Sequence, residues 1–241
     1  MPTESSVTVA EIAASSLPAV RVFERLGIDY CCGGKRPLGE VCQEKGLDAD
    51  AVQRELDAAA SARESTDCDW KAAPLRELVD HIVGTHHEYL KREFQPLADR
   101  LEKVYRVYNE RYGPTLTGLP EVYSGLRSEL ETHMFKEERI LFPAIVAAES
   151  AASCGAPLPR TPFGPFANPI GMMEAEHDSA GQALAQIRTV TGNFAIPDYA
   201  CVTYRALMSG LQELEQDLHL HIHLENNILF PRAAELDRSR I

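Results

Sequence analysis

Hydrophobic residues recur at helical spacing through most of the chain, and no stretch shows the alternation that is typical of a β-strand. Four long segments carry the helical pattern after Pro74, at residues 74–111, 119–149, 170–191 and 197–236. Helices of this length, joined mostly by short links, pack as a four-helix bundle. The pattern therefore predicts an all-α protein whose larger part is such a bundle.

A small helical unit precedes the bundle, over residues 1–62. Pro18 and Pro37 each open an apolar-periodic segment, as proline does in a first helical turn. Gly27 is expected to end the first of these helices, and Asp48 to cap a later one. A unit of about 60 residues has a small core, so we expect it to pack on the bundle or on a second subunit. The second arrangement would make a homodimer.

Two irregular stretches interrupt the helical pattern. Residues 63–73 are polar and aperiodic and form a predicted linker, which leaves residues 74–241 for the bundle. The stretch SCGAPLPRTPFGPFANPIG contains five prolines in 19 residues. Because proline does not fit a helix interior, we predict an extended crossover over residues 150–169.

The charge balance limits the classes of partner. The chain has 24 basic and 36 acidic residues, a formal net charge of −12, which disfavours binding to nucleic acid. No apolar run approaches the roughly 20 residues that a membrane span needs. The N-terminal stretch MPTESSVTVAEIAAS lacks the basic residues of a secretory signal. We therefore expect a cytoplasmic protein whose six cysteines are reduced.

An internal repeat carries the strongest chemical signal. HMFKEERILFP, which begins at His133, and HIHLENNILFP, which begins at His221, share six of eleven positions at an offset of 88 residues. Each copy places a glutamate four residues after its histidine, at Glu137 and Glu225. Residues i and i+4 of a helix lie one turn apart on one face, so each pair can reach a single metal ion.

The preceding helices are expected to supply the other half of the site. His87 begins HEYL and His177 begins HDSA, each a histidine followed by an acid, at an offset of 90 residues. Two glutamates can bridge two metals that each bind two histidines, as in bundle-core carboxylate sites. Mixed imidazole and carboxylate ligation suits iron or manganese better than a structural zinc. The predicted ligands are His87, His133, Glu137, His177, His221 and Glu225.

The first ligand has a competitor. The apolar stripe of the first bundle helix places His86 on its inner face, whereas the offset of the repeat favours His87. From spacing alone both remain open, and His87 is the preferred choice. His81 is expected on the helix surface.

Other polar residues near the motifs have weaker assignments. Glu129 and Asp217 lie one turn before the repeated histidines, and we expect these carboxylates to orient the ligating imidazoles. His219 and His223 flank His221 without a carboxylate at the matching step. We expect them to be solvated or to lie around the site without binding the metal.

Two adjacent cysteines, Cys31 and Cys32, lie in the segment DYCCGG. Their position near a glycine turn, just before a helix, could lower the pKa values of the two thiols. Such thiols could bind a soft metal, take up nitric oxide or form a mixed disulfide, whereas the alternative is two small packing residues. Cys42 is expected nearby. The remaining cysteines show no ligand spacing: Cys68, Cys154 and Cys201.

Four motifs in order, DYCCGG, HMFKEERILFP, MEAEHD and HIHLENNILFP, resemble the repair-of-iron-centres family (the YtfE/ScdA type) over nearly the whole chain. This resemblance implies an N-terminal Cys-Cys module followed by a hemerythrin-like four-helix bundle with two iron ions. It places the family's paired cysteines at Cys31 and Cys32, and it favours His87 over His86. The ligands that it implies are His87, His133, Glu137, His177, His221 and Glu225.

The resemblance also implies a function. Proteins of this type help to repair iron–sulfur clusters damaged by nitrosative or oxidative stress, through iron release or the handling of nitric oxide. Damaged iron–sulfur proteins would be the partners, and nitric oxide or O₂ the small ligand. Two other functions fit the same site: a hemerythrin-like sensor of O₂, nitric oxide or iron, and a di-iron reductase of nitric oxide or peroxide. Whether the protein is an enzyme stays open between them.

Overall fold

The computed structural model describes residues 7–61, 68–112 and 116–238. Within these ranges the chain forms eight helices and no β-strand, apart from an isolated bridge between Thr8 and Pro37. The predicted all-α class is therefore confirmed. No helix of the described ranges is long and apolar enough to cross a membrane.

Four short helices build the N-terminal unit, which we call the N-terminal module. They are α1 (Val9–Ser15), α2 (Leu17–Leu26), α3 (Leu38–Lys45) and α4 (Ala49–Ser61). Residues 1–6 and 62 of the predicted unit lie outside the described residues.

The helix ends of the module follow from local chemistry. Pro18 lies in the first turn of α2 and Pro37 caps α3, as the sequence predicts. Gly27 ends α2 in the left-handed region, at φ 63°, where glycine carries no steric penalty. The Asp48 carboxylate accepts hydrogen bonds from the N–H groups of residues 50 and 51 at 3.0 and 3.3 Å. That carboxylate satisfies two N–H groups that would otherwise lack partners at the start of α4.

Four long helices form the bundle, and three of them contain a π-helical turn. Helix α5 runs through Leu75–His81, the π-turn Ile82–His87 and Glu88–Tyr112. The others are α6 (Leu119–Lys136, π-turn Glu137–Leu141, Phe142–Ser153), α7 (Ala167–Val190) and α8 (Val202–Leu224, π-turn Glu225–Leu229, Phe230–Arg238).

The proline-rich crossover is shorter than the sequence predicts. Helix α6 continues to Ser153 and α7 already begins at Ala167, so the extended connection spans residues 154–166. Pro169 lies in the first turn of α7. A proline is tolerated there because the N–H groups of a first turn have no partner inside the helix.

The end of the predicted linker packs on the bundle. Residues 62–67 lie outside the described residues. After them, the Trp70 ring stacks on the ring of His81, with centroids 4.5 Å apart. Arg232 donates a hydrogen bond to the Trp70 carbonyl oxygen at 2.8 Å. His81 is therefore half-buried under Trp70 rather than fully on the surface.

The N-terminal module packs directly on the bundle, as its small core leads us to expect. Its buried residues and those of the bundle form one continuous hydrophobic cluster. Polar contacts also join the two parts. Asn227 of α8 donates to the carbonyl oxygen of Tyr30 at 3.1 Å, and Lys35 pairs with Glu174 of α7 at 3.2 Å. These contacts place the loop that carries the two cysteines against helices α7 and α8.

Candidate metal centre

Each of the three π-turns begins or ends at a predicted ligand. The turn in α5 ends at His87, and those in α6 and α8 begin at Glu137 and Glu225. A π-turn holds an extra residue and is frequently found at functional sites. The π-turn in α5 contains both His86 and His87, and both side chains are buried. This is why a straight helical period favours His86 while the structure brings His87 to the centre.

The six predicted ligands are all buried and form two groups around a common centre. One group joins His133 and His177 to both glutamates, and we call it position A. The other joins His87 and His221 to the same two glutamates, and we call it position B. Within each group, one ligand atom per residue lies within 4.8 Å of all the others. The two positions share Glu137 and Glu225.

Each shared glutamate directs one oxygen to each position. Glu137 Oε1 lies 3.3 Å from His133 Nε2, and its Oε2 lies 3.4 Å from His87 Nε2. Glu225 Oε2 lies 3.1 Å from His177 Nε2, and its Oε1 lies 3.0 Å from His221 Nε2. This is the arrangement expected of two carboxylates that bridge a pair of metal ions.

The imidazoles face each other in pairs through their Nε2 atoms. His133 Nδ1 donates to Glu176 and His177 Nδ1 donates to Asn226, both at 2.8 Å. In the neutral rings the proton is then on Nδ1, and Nε2 is left with a lone pair. The two Nε2 atoms are nevertheless only 3.0 Å apart. Two nitrogens bound at right angles to one ion, at about 2.1 Å each, would also lie about 3.0 Å apart.

Position B repeats this arrangement with one difference. His87 Nδ1 donates to Glu138 at 2.9 Å, and the Nε2 atoms of His87 and His221 are 3.1 Å apart. His221 Nδ1, however, is buried and has no hydrogen-bond partner in the described part of the chain. Both carboxylate oxygens of Glu137 likewise lack hydrogen-bond donors among the described residues. Buried acceptors without donors, beside converging lone pairs, fit cations at both positions.

Electrostatics keeps the glutamates ionised. Burial by itself raises the pKa of Glu225, but His221 and His177 beside it bring that pKa well below its ordinary value. Glu137 also has a lowered pKa, since attraction to His133 outweighs burial and the charge of Glu225. Burial lowers the pKa of His133, yet the Glu137 carboxylate raises it more, to about 9. Both carboxylates are therefore available as ligands at neutral pH.

The residues that orient the imidazoles differ from those that the sequence predicts. Glu129 accepts a hydrogen bond from Ser179 at 3.0 Å, and Asp217 pairs with His86 at 2.9 Å, so neither orients a predicted ligand. That prediction is wrong because the ligating imidazoles are held by residues of other helices. The observed partners come from neighbouring helices and are each adjacent in sequence to a predicted ligand: Glu138, Glu176 and Asn226.

Of the two alternatives predicted for the flanking histidines of α8, the solvated position is wrong for His223, which lies near the site without joining the metal groups. His223 is 1% exposed and belongs to neither metal group among the described residues. Its Nδ1 accepts a hydrogen bond from Asn227 at 2.9 Å, and its ring meets the Tyr30 ring edge-on at 5.5 Å. Burial lowers its pKa to about 4. His219 is half-buried and also approaches Tyr30. Both histidines thus lie where the N-terminal module covers the bundle.

The cysteine loop is held by one carboxylate. Asp29 accepts hydrogen bonds from the backbone N–H groups of Cys31 and Cys32 at 3.0 Å and of Gly33 at 2.9 Å. Both thiols are free, with their sulfur atoms 3.8 Å apart. The Cys32 thiol lies 3.6 Å from the carbonyl oxygen of His177. The loop therefore brings one thiol onto the backbone of a predicted ligand.

The predicted lowering of the thiol pKa is wrong for Cys31. Its hydrogen bond with Cys32, its burial and the charge of Asp29 all raise its pKa well above the ordinary value. The sequence pattern did not reveal that the loop folds inward around an acidic side chain. Cys42 is buried in the module core. The cysteines without ligand spacing are all exposed: Cys68, Cys154 and Cys201.

Two family models match the chain. A domain of unknown function named ScdA_N matches residues 5–60, and the hemerythrin HHE cation binding domain matches residues 78–233. Among curated relatives, the iron-sulfur cluster repair protein YtfE of Escherichia coli O81 (strain ED1a) is 39% identical over 226 residues. The protein of the same name from Escherichia fergusonii is 38% identical. Each alignment covers 93% of this chain and 95% of the relative.

Proposed function

The chain belongs to the YtfE family of iron–sulfur cluster repair proteins, and we propose that it helps to restore iron–sulfur clusters damaged by nitrosative or oxidative stress. The family resemblance drawn from the four motifs is thereby confirmed. The observation that carries the proposal is the pair of buried His–Glu groups that share both glutamates.

The cofactor of the bundle is a pair of iron ions bridged by carboxylates, as the cation-binding match, the repair relatives and the two ligand groups together indicate. When bound, iron supplies a transferable metal ion and a place where nitric oxide can bind. We assign the binding of both iron ions to the six buried side chains whose ligand atoms converge: His87, His133, Glu137, His177, His221 and Glu225.

The protein's own residues favour a site that can give up its metal. All six ligands bind a metal in their deprotonated form, so proton uptake competes with metal binding. The raised pKa of His133 shows where a proton can go in the metal-free site. A proton on His133 Nε2 would face Glu137 Oε1, 3.3 Å away. Such a proton would give the buried Glu137 carboxylate a charged partner when a cation leaves.

We propose that Cys31 and Cys32 handle the sulfur or nitrosyl side of the repair, or dock on the damaged protein. Support comes from the position of the loop, because the Cys32 thiol is half-buried and contacts the carbonyl of His177. Modification of the Cys32 thiol would therefore affect the backbone of His177, a ligand of position A, directly. The fixed loop around Asp29 would keep both thiols in that place.

A repair role implies damaged iron–sulfur proteins as targets. We propose nitric oxide or O₂ as the small ligand, and the cytoplasm as the compartment, since free cysteines suit a reducing environment. The net charge of −12 makes nucleic acid a poor partner. A homodimer stays a prediction from the small N-terminal module.

Recovery of an iron–sulfur enzyme after nitric oxide exposure tests the proposal in a strain that lacks this protein. Wild type should restore the enzyme's activity, whereas the double variant Glu137→Ala, Glu225→Ala and the double variant Cys31→Ser, Cys32→Ser should not. A matched control changes two exposed glutamates of the same helices, Glu131→Ala and Glu213→Ala, and should restore activity like wild type.

Full recovery with the Glu137, Glu225 variant would contradict the proposal. Reversible O₂ or nitric oxide binding by wild type, with no effect on enzyme recovery, would instead favour the sensor. Turnover of nitric oxide or peroxide with an added reductant, lost in the same variant and again without enzyme recovery, would favour the reductase.

A further inference from the structure

The two metal positions hold their imidazoles unequally. At position A, both histidines donate from Nδ1 to an acceptor on another helix, Glu176 or Asn226. At position B only His87 does so, through Glu138. His221 Nδ1 is buried without an acceptor in the described ranges.

The internal repeat shows which residue replaces the missing acceptor. His133 and His221 are equivalent in the repeat, and so are His177 and His87. Glu176, which holds His133, immediately precedes His177, so its equivalent is the residue that immediately precedes His87. That residue is His86. A histidine therefore stands where the other half of the site has a carboxylate.

His86 does not act as Glu176 does, because its ring lies parallel to the His221 ring and its buried Nε2 makes no hydrogen bond among the described residues. Its Nδ1 bonds Asp217 Oδ1 at 2.9 Å, while its ring lies parallel to the His221 ring, with centroids 5.5 Å apart and planes at 3°. Asp217 lies one turn before His221 on α8, yet its hydrogen bond goes to His86. His86 thus stacks on the ring of His221. It also bonds Asp217, the carboxylate one turn before His221 on α8.

We propose that His86 makes position B the weaker of the two, so that iron leaves from this position first. The inference rests on the proposed supply of iron by this protein. Outer-shell partners of a ligating histidine change metal affinity by about 10–100-fold. His86 is a positioning residue that acts through His221, and position B is expected to release iron about 10–100 times faster than position A.

The test measures iron release from the full-length protein. Wild type is loaded anaerobically with ferrous iron and mixed with a ferrous chelator, whose coloured complex reports release over time. Two phases are expected, each of about one iron per chain. The variant His86→Gln offers an amide oxygen to His221 Nδ1 and an amide N–H to Asp217, so the fast phase should slow by about tenfold or more.

Two further variants separate positioning from a general change in the fold. Asn226→Ala removes the acceptor of His177 at position A, so it should speed the slow phase and leave the fast phase unchanged. The double variant His86→Leu, Asp217→Leu offers His221 no acceptor from either residue, and it should keep the fast phase.

A single release phase in wild type, or an unchanged fast phase in His86→Gln, would overturn the inference. In either case, two bound irons and intact cluster recovery would leave the proposed function standing. Failure of wild type to bind iron at all would contradict the proposed function itself as well as the inference.

Discussion

The Nε2 atoms of His133 and His177 face each other at 3.0 Å in the buried centre of the bundle, and each ring commits its Nδ1 proton to a neighbouring helix. Two neutral imidazoles in this arrangement present lone pairs to each other, which is unfavourable unless a metal ion binds both nitrogens or one ring takes up a proton. The hydrogen bonds of the Nδ1 atoms thus leave the Nε2 atoms free to bind a cation.

The Asn226→Ala variant tests the hydrogen bond that orients His177. Loss of the amide oxygen should lower metal affinity at one of the two positions by about 10–100-fold, because an unanchored imidazole loses its fixed orientation. Competition with a chelator of known affinity measures this change. The neighbouring Asn227→Ala is the matched control, since Asn227 bonds Tyr30 and His223 instead of a predicted ligand. Equal losses in both variants would argue against the orienting role.

Gly34 tests how tightly the cysteine loop is packed. A Cβ atom at this position would lie 2.5 Å from the Tyr30 carbonyl oxygen and 2.9 Å from Ala10 Cβ. Gly34→Ala should therefore destabilise the N-terminal module by about 1–3 kcal/mol, the usual cost of overpacking. Thermal unfolding measures this loss.

The control for that measurement is Gly39→Ala. Its added Cβ would meet nothing within 4 Å, and alanine favours a helix over glycine. This variant should be as stable as wild type or slightly more stable. A Gly34→Ala protein with an unchanged unfolding temperature would show that the loop can open at no cost.

The Cys31 thiol should react slowly with an alkylating reagent. The pKa of Cys31 is raised by Cys32, burial and Asp29, and only the thiolate is the nucleophile. At pH 7.5 Cys31 should therefore react far more slowly than the exposed Cys68, and its rate should rise as the solution is made more alkaline. Mass spectrometry of the labelled peptides measures both rates.

Asp29→Asn provides the variant for the same experiment. Removal of the negative charge should lower the pKa of Cys31, so its alkylation should begin at a lower pH than in wild type. If Cys31 of wild type reacts as fast as Cys68 at pH 7.5, the pKa of Cys31 is not raised and this prediction is wrong.

Much of the fold follows from the sequence because its signals are local. Helical periodicity, Pro18, Gly27 and Asp48 each determine a helix or one of its ends through contacts within a few residues. The crossover was predicted too long because Pro169 lies in a first turn, where a proline-rich composition does not distinguish a loop from a helix start.

The ligands could also be predicted from the sequence, because each histidine and its glutamate lie on one face of one helix. The internal repeat shows this spacing twice. The surrounding residues could not be found in this way, because Glu138 and Glu176 each orient a histidine of a different helix. The burial of His223 depends on how the N-terminal module covers the bundle. The π-turn that ends at His87 changes the helical phase at His86 and His87, the two candidates for the first ligand.

Metal content tests the central claim most directly. Protein purified anaerobically is analysed by plasma mass spectrometry, as wild type, as the double variant Glu137→Ala, Glu225→Ala, and as the control Glu131→Ala, Glu213→Ala. We expect about two irons per chain in wild type and in the control, because two positions share the two buried glutamates, and almost none in the Glu137, Glu225 variant. One zinc per chain, or iron that persists without both glutamates, would contradict the dinuclear centre.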